Sequence, residues 1–385
     1  MAKIPPVANM SHFDVVVCGL GVMGSAALYA LAQRGARVAG LDRFEQGHDR
    51  GSSHGETRII RRGYFEHPSY VPLVERSYAK WREIEAAAGR QLLHVTGIIE
   101  IGPPDGVLVR GTLAAMKEHN VPHEKLSASE LMRRFPAFRI PADFVGTFQG
   151  DGGYLEAEAS LAALAALAGA SGAELRRGET IAAIEPSTQG VRVLTNRGAI
   201  WGRTVIVTLG PWLETLFPGL PARLRITRQV LAWFSPRDPA RVANGKLPVF
   251  LLQSRHGIHY GFPLRGSSVK IAKHHHADQA VDPETYDRTV SAADEALIRA
   301  ALEAHLPAIN GPLLSAKTCL YTRSGDDDFI IDRLPGAPQV VIASPCSGHG
   351  FKFAPAIGDI LADLALAGAT VHDISRFSLD RFKAI

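Results

Sequence analysis

The feature that most constrains the fold is a glycine-rich turn between an apolar strand and a helix near the N-terminus. Residues 13–18 (FDVVVC) contain a short run of valines, which is typical of a buried parallel strand. Gly19, Gly21 and Gly24 follow with the spacing GxGxxG. The first glycine permits a tight turn, the second lets a pyrophosphate approach the backbone, and the third lets the helix pack on the strand. The helix N-terminus then favours the negative charge of the phosphates.

The next elements complete a βαβ unit. A helix rich in Ala and Leu is expected from residue 21 to 34, with Gly35 as its C-cap, and a second strand runs over 38–41. Asp42 ends that strand about 20 residues after the turn, where a carboxylate accepts hydrogen bonds from ribose hydroxyls. Together these signals predict a dinucleotide-binding fold. Their spacing does not separate NAD from FAD.

A second glycine turn late in the chain favours FAD. Gly348, His349 and Gly350 lie between a predicted strand over 340–343 and a predicted helix over 355–367. Such a backbone can pack against a flat isoalloxazine ring, and the following helix N-terminus favours negative charge on the reduced flavin. From the local sequence alone, the alternative is a flexible loop.

The length of the chain, 385 residues, favours two domains. We expect an α/β (α+β) protein with a Rossmann-like FAD-binding domain and an inserted β-rich substrate domain. The predicted segments are 11–90, 150–225 and 319–385 for the FAD-binding domain and 91–149 and 226–318 for the substrate domain.

Composition and charge exclude some classes of protein. The net charge is +4, and the basic residues are scattered rather than clustered with aromatics, so nucleic-acid binding is not expected. No stretch approaches the roughly 18 apolar residues that span a bilayer, and the first ten residues do not resemble a signal peptide. Three cysteines cannot form a disulfide framework. A cytoplasmic protein is therefore expected.

Several separate motifs resemble the monomeric sarcosine oxidase family of FAD-dependent amine oxidases, which also contains N-methyltryptophan oxidase and pipecolate oxidase. The similarity runs from Phe13 to about Phe377. Besides the first glycine turn, it rests on 51–61 (GSSHGETRIIR), 260–263 (YGFP), 269–270 (VK), 319–322 (CLYT), 329–332 (FIID) and 347–353 (SGHGFKF).

The resemblance implies a fold like that of p-hydroxybenzoate hydroxylase, with FAD attached covalently to Cys319 by an 8α-thioether. It also implies that Arg61 and Lys352 hold the substrate carboxylate, and that Lys270 promotes reaction with oxygen from the opposite face of the flavin. The other residues that it places in the active site are His54, Arg58, Tyr260, His274 and Tyr321.

The residue types suit this chemistry. A guanidinium grips a carboxylate in a fork and an ammonium adds a point charge, so Arg61 and Lys352 would aim the carbon beside the amine at the flavin. A buried Lys270 would stabilise the negative charge that forms during oxygen reduction. Taken alone, however, Cys319 reads as a small buried hydrophobe.

The run His274-His275-His276 invites a metal site, but metal ligands must converge with further support around them. We expect instead that His274 lines the pocket and that the other two are solvated. No metal is expected.

We therefore predict a monomeric oxidase of secondary amino acids, with sarcosine first, that reduces O2 to H2O2. N-methyltryptophan and pipecolate are alternative substrates, and a dehydrogenase that passes electrons to a protein acceptor is an alternative activity. Three departures from the sarcosine oxidase pattern leave the exact amine open: the run Ser344-Pro345-Cys346, Asp328, and Lys273 before His274.

Overall fold

The structure is a computed structural model that describes residues 11–243 and 245–383. The first ten residues, on which the expectation of no signal peptide rests, lie outside this part of the chain. In the described residues no helix combines the length and apolar character needed to cross a membrane.

The helices and strands follow one another in mixed order along the chain. The helices are α1 (Val22–Gln33), α2 (Val71–Ala88), α3 (Val107–Glu118), α4 (Ala128–Arg134), α5 (Ala157–Ala170), α6 (Leu213–Leu216), α7 (Ala292–His305) and α8 (Ala354–Leu366). The strands are β1 (Ser11–Cys18), β2 (Val38–Leu41), β3 (Thr57–Ile60), β4 (Leu93–Val95), β5 (Ile98–Gly102), β6 (Glu124–Ser127), β7 (Val145–Gln149), β8 (Gly153–Glu156), β9 (Glu174–Arg176), β10 (Ile181–Ser187), β11 (Gly190–Thr195), β12 (Gly198–Val207), β13 (Arg225–Phe234), β14 (Val249–Ser254), β15 (Gly257–Gly261), β16 (Val269–Lys273), β17 (Leu313–Arg323), β18 (Ile330–Leu334) and β19 (Ala337–Ser344).

The first sheet contains the predicted βαβ unit. Its strand order is β10-β11-β12-β1-β2-β9, and β19 pairs with both β12 and β18. Strands β1, β2 and β12 are parallel, with Val16 opposite both Ala39 and Val205. The carboxyl ends of parallel strands meet at one edge, and this edge is where α/β sheets bind ligands. The first glycine turn and Asp42 both lie there.

The second sheet has the order β17-β13-β16-β15-β14-β5-β7-β6 and is mostly antiparallel. Strand β17 contains Cys319, which lies opposite Gln229 of β13. The predicted domain boundary at residue 319 therefore cuts a continuous strand, since β17 pairs with β13 up to Arg323. The chain returns to the first sheet only at β18.

A small third sheet, β3-β8-β4, carries Arg58 in β3 and ends just before Arg61. Because β3 pairs with β8 from Thr57 to Ile60, Arg58 is held within a paired strand and Arg61 follows directly after it.

The histidine run is not arranged as predicted. His276 is buried, and its Nε2 lies 2.9 Å from Oδ1 of Asp294. Arg228 donates to both oxygens of Asp294, at 2.8 and 3.0 Å, and Asp294 also closes a capping box with Ser291 at the start of α7. The prediction that His276 is solvated is wrong, because tertiary contacts supply its partner. In the ranges that the structure describes, no group of three metal-ligating side chains converges.

The buried cluster of Arg228, His276 and Asp294 leads to a prediction about stability. Replacing Asp294 by alanine leaves the Arg228 guanidinium buried without its carboxylate, and breaking a buried ion pair in this way costs about 3–5 kcal/mol. We expect a clear fall in the urea midpoint of unfolding. The control is Glu303→Ala on the exposed face of the same helix, for which little change is expected. Equal midpoints for the two variants would contradict the structural role of the cluster.

Candidate active site

One large cavity runs from the first glycine turn to the face of the second sheet. Its lining contains most of the predicted site residues, namely Gly19, Gly21, Asp42, Arg58, Arg61, Tyr260, His274, Cys319, Tyr321, Gly348, His349, Gly350 and Lys352. Gly24, His54 and Lys270 are not in this lining. Residues more than three hundred positions apart in the sequence thus share one space.

The first glycine turn is shaped for close backbone approach. Gly19 has a φ of 95°, which favours glycine, and a Cβ on Gly24 would overlap the carbonyl oxygen of Gly19. Gly21 is the N-cap of α1, so the helix begins at the cavity. The Asp42 carboxylate accepts from the Leu20 amide at 2.7 Å and lies beside the turn. Gly24 therefore packs the helix on the strand, while Gly21 lines the cavity.

The second glycine turn is also tightly built. Gly348 has a φ of 82°, and a Cβ on Gly350 would overlap the carbonyl oxygen of Pro345. Nδ1 of His349 lies 2.6 Å from the Tyr64 hydroxyl and its Nε2 lies 3.2 Å from the Asp327 carbonyl oxygen. Burial lowers the pKa of His349 to about 4, so the ring is neutral at pH 7. These contacts hold the turn in place, and the alternative of a flexible loop is wrong.

Cys319 lies in an unusual electrostatic environment. Its side chain is buried, with Nη2 of Arg58 3.8 Å from its Sγ. Burial raises the pKa of the thiol, but the neighbouring His54 and the charges of Arg58 and Lys270 outweigh burial and bring the pKa down to about 7. A large share of this thiol is therefore thiolate, the nucleophilic form, near neutral pH.

Lys270 lies behind the cavity wall. Its Nζ donates to the carbonyl oxygens of Gly55 and Thr57, at 2.5 and 2.9 Å, and it lies 4.7 Å from the centre of the Phe262 ring. Burial lowers its pKa, and the charge of Arg58 lowers it further. Negative charge in the cavity would favour its protonated form.

Arg61 and Lys352 are buried together at the same part of the cavity. Arg61 donates to both oxygens of Glu66, at 2.9 and 2.7 Å, and its Nη1 lies 3.3 Å from Oε1 of Glu100. Lys352 donates to the His349 carbonyl oxygen at 2.6 Å and to the Tyr64 hydroxyl at 3.4 Å. Burial and the nearby Arg61 charge lower the pKa of Lys352 to about 7, against the opposing effect of the two glutamates.

Neutral aromatic groups form the adjoining wall. The Tyr321 hydroxyl lies 3.5 Å from Nδ1 of His274. Burial raises the pKa values of Tyr260 and Tyr321 and lowers that of His274, which keeps all three uncharged at pH 7. The apolar residues beside them include Ile59, Phe65, Leu251 and Phe262. The two cations therefore face a largely apolar space.

Sequence reasoning missed the two glutamates and Tyr64. Glu100 had a visible signal, because it is the one charged residue in the apolar run Ile98-Ile99-Glu100-Ile101. Glu66 and Tyr64 follow the predicted Arg61 closely, but nothing in their spacing indicates that they contact it.

The residues present fit FAD, since the Asp42 carboxylate and two glycine turns, in which a Cβ on Gly19, Gly24, Gly348 or Gly350 would clash, lie along one cavity. Residues 14–364 match the family described as FAD dependent oxidoreductase (DAO). The chain belongs to this family. The fold prediction and the predicted FAD dependence are confirmed, and the protein is an FAD-dependent amine oxidase.

Curated relatives of this DAO protein match it over nearly full length. The chain is 40% identical to monomeric sarcosine oxidase of Streptomyces avermitilis over 97% of this chain and 98% of that protein. It is 34% identical to N-methyl-L-tryptophan oxidase of Yersinia pestis over 96% of this chain and 100% of that protein. The predicted resemblance to the sarcosine oxidase family is thereby confirmed.

Among solved structures, NikD, an amino acid oxidase essential for nikkomycin biosynthesis, superposes with a TM-score of 0.85 at 30% identity, over 96% of this chain and 98% of that one. An L-proline dehydrogenase from P. horikoshii shares the fold with a TM-score of 0.82 at 21% identity, over 97% and 99% of the two chains.

Proposed function

We propose that the protein oxidises small secondary amino acids of the sarcosine type to imines and reduces O2 to H2O2. The observation that carries this proposal is the buried pair of cations, Arg61 and Lys352, beside a neutral aromatic wall in the FAD cavity. The relatives named sarcosine oxidase and N-methyl-L-tryptophan oxidase support the same substrate class.

In this proposal the chain's own residues bind and orient the substrate. The FAD, when bound, accepts a hydride from the carbon beside the amine nitrogen. Arg61 and Lys352 hold the carboxylate, which places that carbon, and orientation of this kind contributes up to about 7–11 kcal/mol in favourable cases. Tyr260, Tyr321 and His274 carry no charge and close the space around the amine. The low-dielectric surroundings strengthen the electrostatic attraction between these cations and the substrate carboxylate.

We further propose that FAD is attached through Cys319 and that oxygen is the electron acceptor. The lowered pKa of the Cys319 thiol supports the first point. The buried Lys270 supports the second, since a dehydrogenase that serves a protein acceptor has no need of a cation that promotes oxygen reduction. The two-domain division is part of the same proposal, with its last boundary moved from residue 319 to the end of β17 at Arg323.

A monomeric state and a cytoplasmic location complete the proposal. The relatives named monomeric sarcosine oxidase support the first. The second rests on the cysteines, because among the described residues Cys18, Cys319 and Cys346 form no disulfide, as suits a reducing compartment.

The substrate class is tested by peroxide release from the purified holoenzyme. Sarcosine, N-methyltryptophan, pipecolate and proline form the panel, each measured for kcat/KM. We expect the highest value for a secondary amine that carries a carboxylate. Equal rates with the corresponding amines that lack the carboxylate would overturn the proposed role of the cation pair.

Arg61→Gln tests directly whether Arg61 binds the substrate carboxylate. Removing one partner of a buried charge pair costs about 2–5 kcal/mol, so we expect kcat/KM for carboxylated substrates to fall by roughly 30-fold to several thousand-fold, with flavin content retained. The control is Arg62→Gln, since Arg62 is only partly buried and pairs with Glu75 at 2.8 Å. A similar loss in both variants, or loss of flavin from Arg61→Gln, would contradict a role in substrate binding.

A further inference from the structure

Glu100 is a buried carboxylate beside Arg61, one of the two residues proposed to hold the substrate carboxylate. It lies in β5, its side chain is 1% exposed, and it is outside the cavity lining. Its Oε1 lies 3.3 Å from Nη1 of Arg61 and has no hydrogen-bond partner among the residues that the structure describes. An ionised carboxylate whose oxygen accepts no hydrogen bond is costly when it is this deeply buried.

The two glutamates that contact Arg61 are not equivalent. Glu66 receives two hydrogen bonds from the Arg61 guanidinium and lines the cavity. Burial raises the pKa of Glu66, but Arg61 and other cations outweigh burial and bring it to about 2, so Glu66 stays ionised. Burial raises the pKa of Glu100 to about 7, even though Arg61 opposes the shift. Glu100 is therefore the carboxyl group poised to change its protonation state.

The buried cluster of Arg61, Lys352, Glu66 and Glu100 carries little net charge. The charged groups that face Glu100 are Arg61, Glu66 and Lys352, and the Thr112 hydroxyl of α3 faces it as a neutral group. With both glutamates ionised, the cluster carries no net positive charge when Lys352 is protonated. An arriving substrate carboxylate would then leave excess negative charge in a buried space.

We propose that Glu100 takes up one proton from solvent when a carboxylate ligand binds to Arg61. This inference rests on the proposed function, in which Arg61 holds the substrate carboxylate. The ligand carboxylate pairs with the Arg61 guanidinium, which weakens the ion pair between Arg61 and Glu100. The proton then binds a Glu100 oxygen. No electrons move. The proton balances the charge of the ligand carboxylate, so the cluster with its bound ligand has the same net charge as the cluster before binding.

The consequence is a pH-dependent affinity with a defined sign. Below pH 7 Glu100 is already protonated and binding takes up no proton there. Above pH 7 each binding event takes up one proton from solvent, so the affinity falls by about tenfold per pH unit. Lys352 loses its own charge in the same range, which also weakens anion binding. The pH profile alone therefore does not identify the group, and a spectroscopic readout is needed.

The experiment uses the holoenzyme and furoate, a flat carboxylate without an oxidisable amine carbon. Binding is followed by the change in the flavin absorption spectrum. Infrared difference spectra at pH 8 should show the C=O stretching band of a newly protonated carboxylic acid. Calorimetry in two buffers of different ionisation enthalpy should show uptake of protons. We expect the band to be absent in Glu100→Gln and present in Glu124→Gln, in which an exposed glutamate of the same sheet is changed.

Each outcome decides the matter. Binding by the wild-type protein without proton uptake overturns the inference, even where Glu100→Gln is not recovered as folded protein, and a band that persists in Glu100→Gln overturns it too. Furoate binding that is unchanged in Arg61→Gln, or no binding to the wild-type protein, contradicts the proposed function itself. Binding that depends on Arg61 but takes up no proton leaves the proposed function standing.

Discussion

Changing Cys319 to serine is expected to abolish covalent attachment of the flavin. The wild-type thiol is surrounded by His54, Arg58 and Lys270, which bring its pKa to about 7 despite its burial. A serine hydroxyl is a far weaker acid and would offer almost no anion for attack in the same place. Acid precipitation should leave the yellow colour with the wild-type protein and release it from Cys319→Ser, and mass spectrometry of the tryptic peptide would locate the link.

The matched control is Cys346→Ser. Cys346 also lines the cavity, but burial raises the pKa of its thiol to about 11, so it remains protonated at neutral pH. We expect this variant to keep its flavin bound after acid precipitation. An unmodified Cys319 in freshly prepared wild-type holoenzyme, or flavin lost equally from both variants, would show that the link is elsewhere or absent.

Changing Lys270 to methionine is expected to slow reaction with oxygen by about 10²–10³-fold, the usual effect of removing a preorganised group that stabilises developing charge. Methionine keeps a similar length and packs well against Phe262 but carries no positive charge. The anaerobic reaction with substrate should be little changed, because Lys270 is outside the cavity lining where the substrate cations lie. Stopped-flow measurements of the two half-reactions separate these effects.

Lys273→Met is the control for this prediction. Lys273 lies on the same strand, β16, and is more exposed than Lys270. Its removal should leave both half-reactions near the wild-type rates. If Lys270→Met reacts with oxygen as fast as the wild-type protein, Lys270 has no part in oxygen reduction. If it slows substrate oxidation equally, the lysine acts on the whole site rather than on oxygen.

Local patterns predicted the regular elements well. The turn at Gly19, Gly21 and Gly24 predicted β1, α1 and β2, and the helix expected over 355–367 is α8, shifted by one residue at each end. The strand expected over 340–343 lies within β19, which pairs with β12 of the first sheet. Hydrophobic periodicity, helix caps and glycine positions are local properties of the sequence, so they predict helices and strands without knowledge of what packs against them.

Electrostatic roles were predicted less completely. Arg61 was expected to face a substrate carboxylate, but the sequence did not indicate that Glu66 and Glu100 already contact it. His276 was expected in solvent and is buried against Asp294, which lies 18 residues away. Lys270 was placed among the site residues, yet it bonds to the backbone behind the cavity wall. Apart from Glu66, which follows Arg61 closely in the sequence, these partners come from other segments of the chain.

The sequence by itself determined the dinucleotide-binding unit, the family and the types of group at the site, since these depend on spacing and on motifs within short segments. Only the tertiary structure decided which charges meet and which thiol is activated. The pKa of Cys319 depends on His54, Arg58 and Lys270, and that of Glu100 on burial and on Arg61. These are effects of distance and solvent exclusion, and both arise only when separate sheets pack together.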